Sequence, residues 1–291
     1  MKIGISFSPY GGTYGRYGDE KWQRLHAHGY AAADYNLSHT DTPLYTMDAT
    51  ALQQTLHHER ELAQQAEVAI AQVHGPWRWP PQDYEVSDRA ERLEKMKRAV
   101  MITAGLGCRY LVVHPIMPFG IEDTLVGKEH ETWEQNLSFF GELADFAQAN
   151  GVVICVENMP MRHFSLATPQ AVLRLVKAVC SDSLRICLDT GHVAVFPDLS
   201  VGEEIRRLGT AICAFHIHDN GGVEDSHLYP GDGVIDWTDV GAAIREIGYT
   251  GVLSLETAPS GRLDDAAFAE ACTDLCRRFR ACIGATETLS E

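Results

Sequence analysis

The chain has 291 residues, 45% hydrophobic and 22% charged, with a formal net charge of −16 at pH 7. That length suits one α/β barrel with a sizeable core, and no apolar run reaches the roughly 18 residues that a membrane span needs. The acidic balance, with basic residues scattered along the chain, argues against nucleic acid as a partner, because affinity for phosphates comes from clustered Lys and Arg.

In chain order, residues 1–12 read as a short strand at 2–7 running into a glycine turn. They lack the basic start and long apolar stretch of a signal peptide, so a cytoplasmic location is expected. Further strands are predicted at 30–36, 68–74, 109–114, 152–157, 184–189, 211–218 and 252–256, where short β-branched runs recur. Longer polar-faced segments predict helices at 20–28, 49–65, 88–104, 129–149, 169–179, 201–208, 237–247 and 264–283. Ser87, Thr168 and Asp236 stand where N-caps belong, Pro169 suits a first helical position, and Gly248 suits a stop. Strands and helices in strict alternation predict a single (β/α)8 TIM barrel over residues 1–291. An open doubly wound sheet would want a phosphate loop after its first strand. Gly11-Gly12-Thr13-Tyr14-Gly15 neither matches GxGxxG nor opens a helix.

The eight cysteines include no CxxC pair, and Cys108, Cys155, Cys187 and Cys213 lie in or beside apolar runs. They read as reduced structural thiols rather than as a disulfide framework or a zinc finger.

In such a barrel the C-terminal strand ends converge on one mouth. From the third strand onward those ends carry His74, His114, Glu157, Asp189, His216 and Glu256. Strand alternation puts Cys155 and Val153 on the face of Glu157, Cys187 on that of Asp189, and Ser254 on that of Glu256. Small or apolar groups therefore lie beneath a polar mouth. Burying Glu157, Asp189, His216 and Glu256 together would cost several kcal/mol, and a divalent cation compensates. The oxygen-rich set suits Mn²⁺, Mg²⁺ or Co²⁺, and Zn²⁺ also fits. His192, Asp225 and His227 stand in the adjoining loops, with Asp219 and Asn220 closing the seventh strand. Phe7, Tyr10, Tyr14, Trp77 and Trp79 are candidates for an apolar pocket wall against which a sugar could stack. Trp77 and Trp79 would equally suit the interface of a homo-oligomer.

The set Val156-Glu157-Asn158, Leu188-Asp189-Thr190-Gly191-His192, His216-Ile217-His218-Asp219, Gly231-Asp232-Gly233 with Trp237, and Leu255-Glu256-Thr257 resembles the xylose-isomerase-like barrel superfamily. That group holds sugar isomerases and epimerases as well as apurinic endonucleases of the endonuclease IV class. The resemblance implies metal ligands at Glu157, Asp189, His216 and Glu256. His216 is preferred to His218 because the family's ligand stands three positions before an acidic residue, here Asp219. It further implies proton transfer by Glu157 and Glu256, with His192 holding the substrate. In the endonuclease class, His74, His114, His192, Asp225 and His227 would complete a three-zinc cluster; in sugar-acting members His74 and His114 contact substrate. The arginine that epimerases often carry after the histidine ligand is replaced here by Asn220-Gly221-Gly222, a departure from a simple free-ketose pattern. A lyase acting on oxidised glycosides (3-keto-glycosides) is a further activity within the resemblance.

Overall fold

In a computed structural model, which describes residues 1–11, 15–81 and 83–285, the strands are β1 (Lys2–Ser6), β2 (Ala32–Asn36), β3 (Ala69–His74), β4 (Tyr110–Val113), β5 (Val153–Glu157), β6 (Leu184–Asp189), β7 (Ile212–Ile217) and β8 (Val252–Leu255). Each pairs in parallel with its sequence neighbours, and β8 closes on β1 with Lys2 opposite Val252 and Ile5 opposite Leu255. The result is the predicted (β/α)8 barrel. Helices α1 (Lys21–Ala27), α2 (Ala49–Gln65), α3 (Val86–Gly105), α4 (Glu129–Ala149), α5 (Pro169–Val179), α6 (Thr190–Ala194), α7 (Val201–Leu208), α8 (Trp237–Glu246) and α9 (Asp265–Cys282) surround it. None is long and apolar enough to cross a membrane.

Both faces of the strands are covered, which is why β5 reads Val-Ile-Cys-Val-Glu and is buried throughout. Ile154, Val156, Ile186, Leu188, Phe215 and Ile217 join the large core between barrel and helices. Val112, Val153, Cys155, Cys187 and Ala214 form a separate cluster inside the barrel, on the face that leads up to Glu157 and Asp189. All eight cysteines are free thiols.

Local chemistry fixes the helix starts. The Thr168 hydroxyl accepts from the Ala171 N–H at 3.3 Å ahead of Pro169. The Asp236 carboxylate accepts from Thr238 and Asp239 at 3.1 Å, and Gly248, at φ +67°, follows the end of α8. Ser87 is not a cap. The Asp88 carboxylate reaches back to the Glu85 N–H at 3.0 Å, so α3 starts two residues before its predicted beginning. The short helix α6 was not predicted, because five residues are too few to show a helical period.

Candidate metal centre at the barrel mouth

Glu157, at the end of β5, is 1% exposed and sits between two imidazoles. Its Oε1 lies 2.8 Å from His216 Nδ1, and its Oε2 lies 3.0 Å from His114 Nε2. Glu256, just past β8, brings Oε2 to 3.1 Å from the same His216 Nδ1. Asp189 ends β6 and caps α6, its Oδ1 accepting from the His192 N–H at 2.7 Å. One ligand atom from each of Glu157, Asp189, His216 and Glu256 lies within 4.8 Å of all the others. Three carboxylates and an imidazole held this closely in a buried pocket are the donor set for a hard divalent cation.

The opposite edge of His216 strengthens that fit. Its Nε2 lies 2.9 Å from Asp34 Oδ2 on β2, and the same oxygen accepts from Gln72 Nε2 at 2.9 Å. With a proton on Nε2 held by Asp34, Nδ1 would be free to offer its lone pair to a cation among Glu157 and Glu256, as a carboxylate–histidine–metal arrangement requires. Paired only with one another, the acids and imidazoles hold one another charged. Burial would raise the Glu157 pKa, but His216 and His114 hold it well below the usual carboxylate range. Glu256 is held low against burial chiefly by His216. Burial works against a charged His216, yet Cys187, Glu157, Glu256 and Asp34 hold its pKa well above the usual value.

A second group adjoins the first. His192 directs Nδ1 to the Asn158 carbonyl at 2.7 Å and Nε2 to Asp225 Oδ2 at 3.2 Å. Against burial, Asp189 and Asp225 push its pKa up to about 10. His227 directs Nδ1 to the Glu256 carbonyl at 2.7 Å and Nε2 to Asp225 Oδ2 at 3.3 Å, and Asp225 pushes its pKa up to about 9 against burial. His218, fully buried, brings Nε2 within 3.0 Å of Asp189 and stacks on His227 with ring centroids 4.0 Å apart. Ligand atoms of Asp189, His192 and His218, and those of His218, Asp225 and His227, also fall within cation-sharing distance, as do those of His74, Glu157 and His216. His74 packs face to face with His216 and edge-on to His114.

The loop carrying Asp225 and His227 is anchored by Asp219. Its carboxylate accepts from Trp237 Nε1 at 2.8 Å and from the N–H groups of Asn220, Gly231 and Ile235 at 2.9, 3.0 and 3.2 Å. Gly191 admits no side chain, because an added Cβ would stand 1.9 Å from His218 Cε1.

A cavity of about 560 Å³ opens over this floor, reaching His74, His114, Glu157, His192, Asp225, His227 and Glu256, with Trp77 in its wall. Phe7 and Tyr10 do not line it. Phe7 shares the helix-facing side of β1 with Ile3 and Ile5 and stacks on Trp22 of α1 at 4.2 Å, while the Tyr10 hydroxyl donates to His28 Nδ1 at 2.8 Å in the core. The alternation that places Glu157 inward places Phe7 outward. Tyr14 lies outside the described residues. Asp34 and Gln72 are the site-building residues that strand-end reading misses, and His218, weighed against His216 as a ligand, instead meets Asp189. Asp34 is the acid within an otherwise apolar-to-aromatic strand, Ala32-Ala33-Asp34-Tyr35, and that is the signal that marks it.

Residues 22–273 match the model of the xylose isomerase-like TIM barrel family. An uncharacterised protein of Methanocaldococcus jannaschii, MJ1311, is 32% identical over 203 residues, which is 67% of each chain. The D-psicose 3-epimerase of Ruminiclostridium cellulolyticum is 32% identical over 125 residues, 43% of this chain and 41% of that enzyme, well under two thirds of its length. The crystal structure of a D-tagatose 3-epimerase-like protein superposes with a TM-score of 0.75 at 25% identity, covering 98% of both chains. With that match spanning all but the ends, the chain belongs to the xylose isomerase-like TIM barrel family.

Proposed function

We propose that the protein is a divalent-metal-dependent isomerase or epimerase of a sugar or sugar derivative, working by proton transfer next to a carbonyl. The observation that carries the reading is the pair Glu157 and Glu256. Both carboxylates approach His216 Nδ1, at 2.8 and 3.1 Å, and both residues line one cavity. A cation in the Glu157–Asp189–His216–Glu256 set, Mn²⁺ first and Mg²⁺, Co²⁺ or Zn²⁺ as alternatives, would supply Lewis acidity that loosens the C–H beside a bound carbonyl. Glu157, held ionised by its two histidines, removes that proton from one face. Glu256 would take a proton from solvent and return it to the other face, giving epimerisation, while Glu157 releases the abstracted proton to solvent; delivery to the neighbouring carbon gives isomerisation. A positioned base of this kind contributes roughly 10²–10⁴-fold. His192 lines the cavity with Nδ1 on the Asn158 carbonyl and Nε2 on Asp225, and would hold a substrate hydroxyl by exchanging the Asp225 contact. The similarity to a D-psicose 3-epimerase supports this assignment.

The test is solvent hydrogen exchange. The Mn²⁺-loaded protein, incubated with a panel of ketoses and keto-sugars in heavy water, should wash deuterium into the carbon next to a carbonyl. Glu157→Gln and Glu256→Gln should abolish that exchange with the metal still bound. Near-normal exchange in either variant sinks the assignment.

A second reading is favoured by the adjoining His192–Asp225–His227–His218 group, which could hold further cations. A three-zinc phosphodiesterase acting at abasic DNA would use it. Elemental analysis separates the two: about one equivalent per chain fits the isomerase, and about three of zinc would call for an abasic-duplex cleavage assay.

A further inference from the structure

The cavity is two-faced. Its floor is built of carboxylates and imidazoles, whereas its outer wall is Trp77, Trp79, Met159, Met161, Val195 and Val223. Among the described residues no Lys or Arg lines it, and Glu224 and Asp225 add negative charge at the rim.

The wall starts close to the reacting centre. Trp77 packs edge-on to His114 with centroids 4.4 Å apart, and His114 in turn bonds to Glu157. The tryptophan is also fixed in place. Its backbone N–H donates to the Ser38 carbonyl at 3.0 Å, and the Arg92 guanidinium lies 5.7 Å from its ring centroid. Trp79 continues the surface outward, 6.1 Å from Trp77, and is 63% exposed, while Val223 nearby in the lining is 71% exposed. Exposed apolar groups rimming a cavity mark a ligand or partner contact. A free sugar carries a hydroxyl on nearly every carbon. Against this wall those hydroxyls would lose water without gaining partners, which is unfavourable. A phosphorylated sugar would find no Lys or Arg among the described residues of this lining, and the His192 and His227 imidazoles there are already paired with Asp225.

We infer that the Trp77–Trp79–Met161–Val223 wall is a subsite for an apolar, preferably aromatic, substituent, and that the ligand is an uncharged keto-sugar derivative that carries one; aryl glycosides, which lack the carbonyl, serve as unreactive probes of the subsite. The polyhydroxy part lies on the floor over Glu157 and Glu256, and the substituent stacks on the tryptophans. Methionines at 159 and 161 suit an apolar group of variable shape, because their side chains adapt. The inference deepens the proposed proton-transfer reading by naming a substrate class, but its test reads binding rather than turnover.

The test compares phenyl β-glucoside, methyl β-glucoside and glucose 6-phosphate binding to the Mn²⁺-loaded protein, by calorimetry and tryptophan fluorescence. Phenyl should bind at least tenfold more tightly than methyl, a difference of about 1.4 kcal/mol, with glucose 6-phosphate weakest. Trp79→Ala should remove most of the phenyl preference and leave methyl binding near its original strength. Glu157→Gln should keep the preference, so a failure of proton transfer leaves the subsite standing. Equal binding of the two glycosides overturns the subsite, as does no saturable phenyl binding or a preference that survives both Trp77→Ala and Trp79→Ala. Sedimentation of Trp79→Ala guards against the other occupant. A change in subunit number with no change in glycoside preference would assign the wall to a second copy of the chain and overturn the inference.

Discussion

His216 Nε2 lies 2.9 Å from the Asp34 carboxylate, although the two residues are 182 positions apart and stand on β7 and β2. The contact crosses the barrel interior beneath the mouth and sets which imidazole nitrogen looks up at Glu157 and Glu256. Asp34→Asn keeps the shape and removes the charge. Metal affinity should fall about 10–100-fold, the usual effect of losing a ligand's supporting carboxylate. Calorimetric Mn²⁺ titration of protein with unchanged circular dichroism is the check, and unaltered affinity would refute the buttress.

Gly191 faces the His218 ring so closely that a methyl group cannot be added without moving something. Gly191→Ala should displace His218 or the short helix α6 that carries His192. Overpacking of this kind costs about 1–3 kcal/mol. Urea unfolding should show that loss, and metal binding should weaken with it. A variant as stable as the parent would mean that the ring has room to shift.

Bound metal should stabilise the fold. Glu157, Asp189, His216 and Glu256 crowd their ligand atoms within 4.8 Å, and an ion that binds only the folded state adds RT ln(1 + [L]/Kd), about 2.7 kcal/mol at a hundredfold excess over Kd. Thermal scans should show the melting temperature rising with Mn²⁺ and falling back with chelator. Glu256→Gln should blunt the rise.

A pH effect should arise away from the mouth. His28 accepts a hydrogen bond from the buried Tyr10 hydroxyl at 2.8 Å, and burial, helped by Arg24, lowers its pKa. The folded state thus favours neutral His28, while the unfolded chain takes up a proton near the ordinary value of about 6.5. The stability it contributes is whole above that pH and is lost as the pH falls through it toward the lower folded value. His28→Gln keeps an acceptor without titrating. The parent should lose more stability than this variant between neutral pH and about pH 5. Parallel curves would contradict the assignment.

Much of this architecture can be read from the chain because its signals are local. Predicted helices 49–65, 129–149, 169–179 and 201–208 coincide with α2, α4, α5 and α7, since amphipathic periods and caps such as Thr168 act over a few residues. The strand ends were legible for a similar reason: alternation from Val153 and Cys155 fixes where Glu157 points. Asp34 shows only as an acid in an otherwise apolar strand, because its partner is remote in sequence and its inward direction is fixed only when the barrel closes. Phe7 departs from the expected pocket wall because alternation along β1 turns it to the helix side with Ile3 and Ile5.

The four clustered ligands Glu157, Asp189, His216 and Glu256 come from β5 to β8 and the residues just after them, while Trp77 and Trp79 follow β3, and Asn36 and Ser38 of the lining lie at or just past the end of β2. Reactivity is therefore encoded in the second half of the chain and much of the selectivity in the first. Loops after β2 and β3 can be exchanged to change which molecules are admitted while the proton-moving acids stay untouched. Asp34, His74 and His114, reaching across from the first half, tie the two inheritances together.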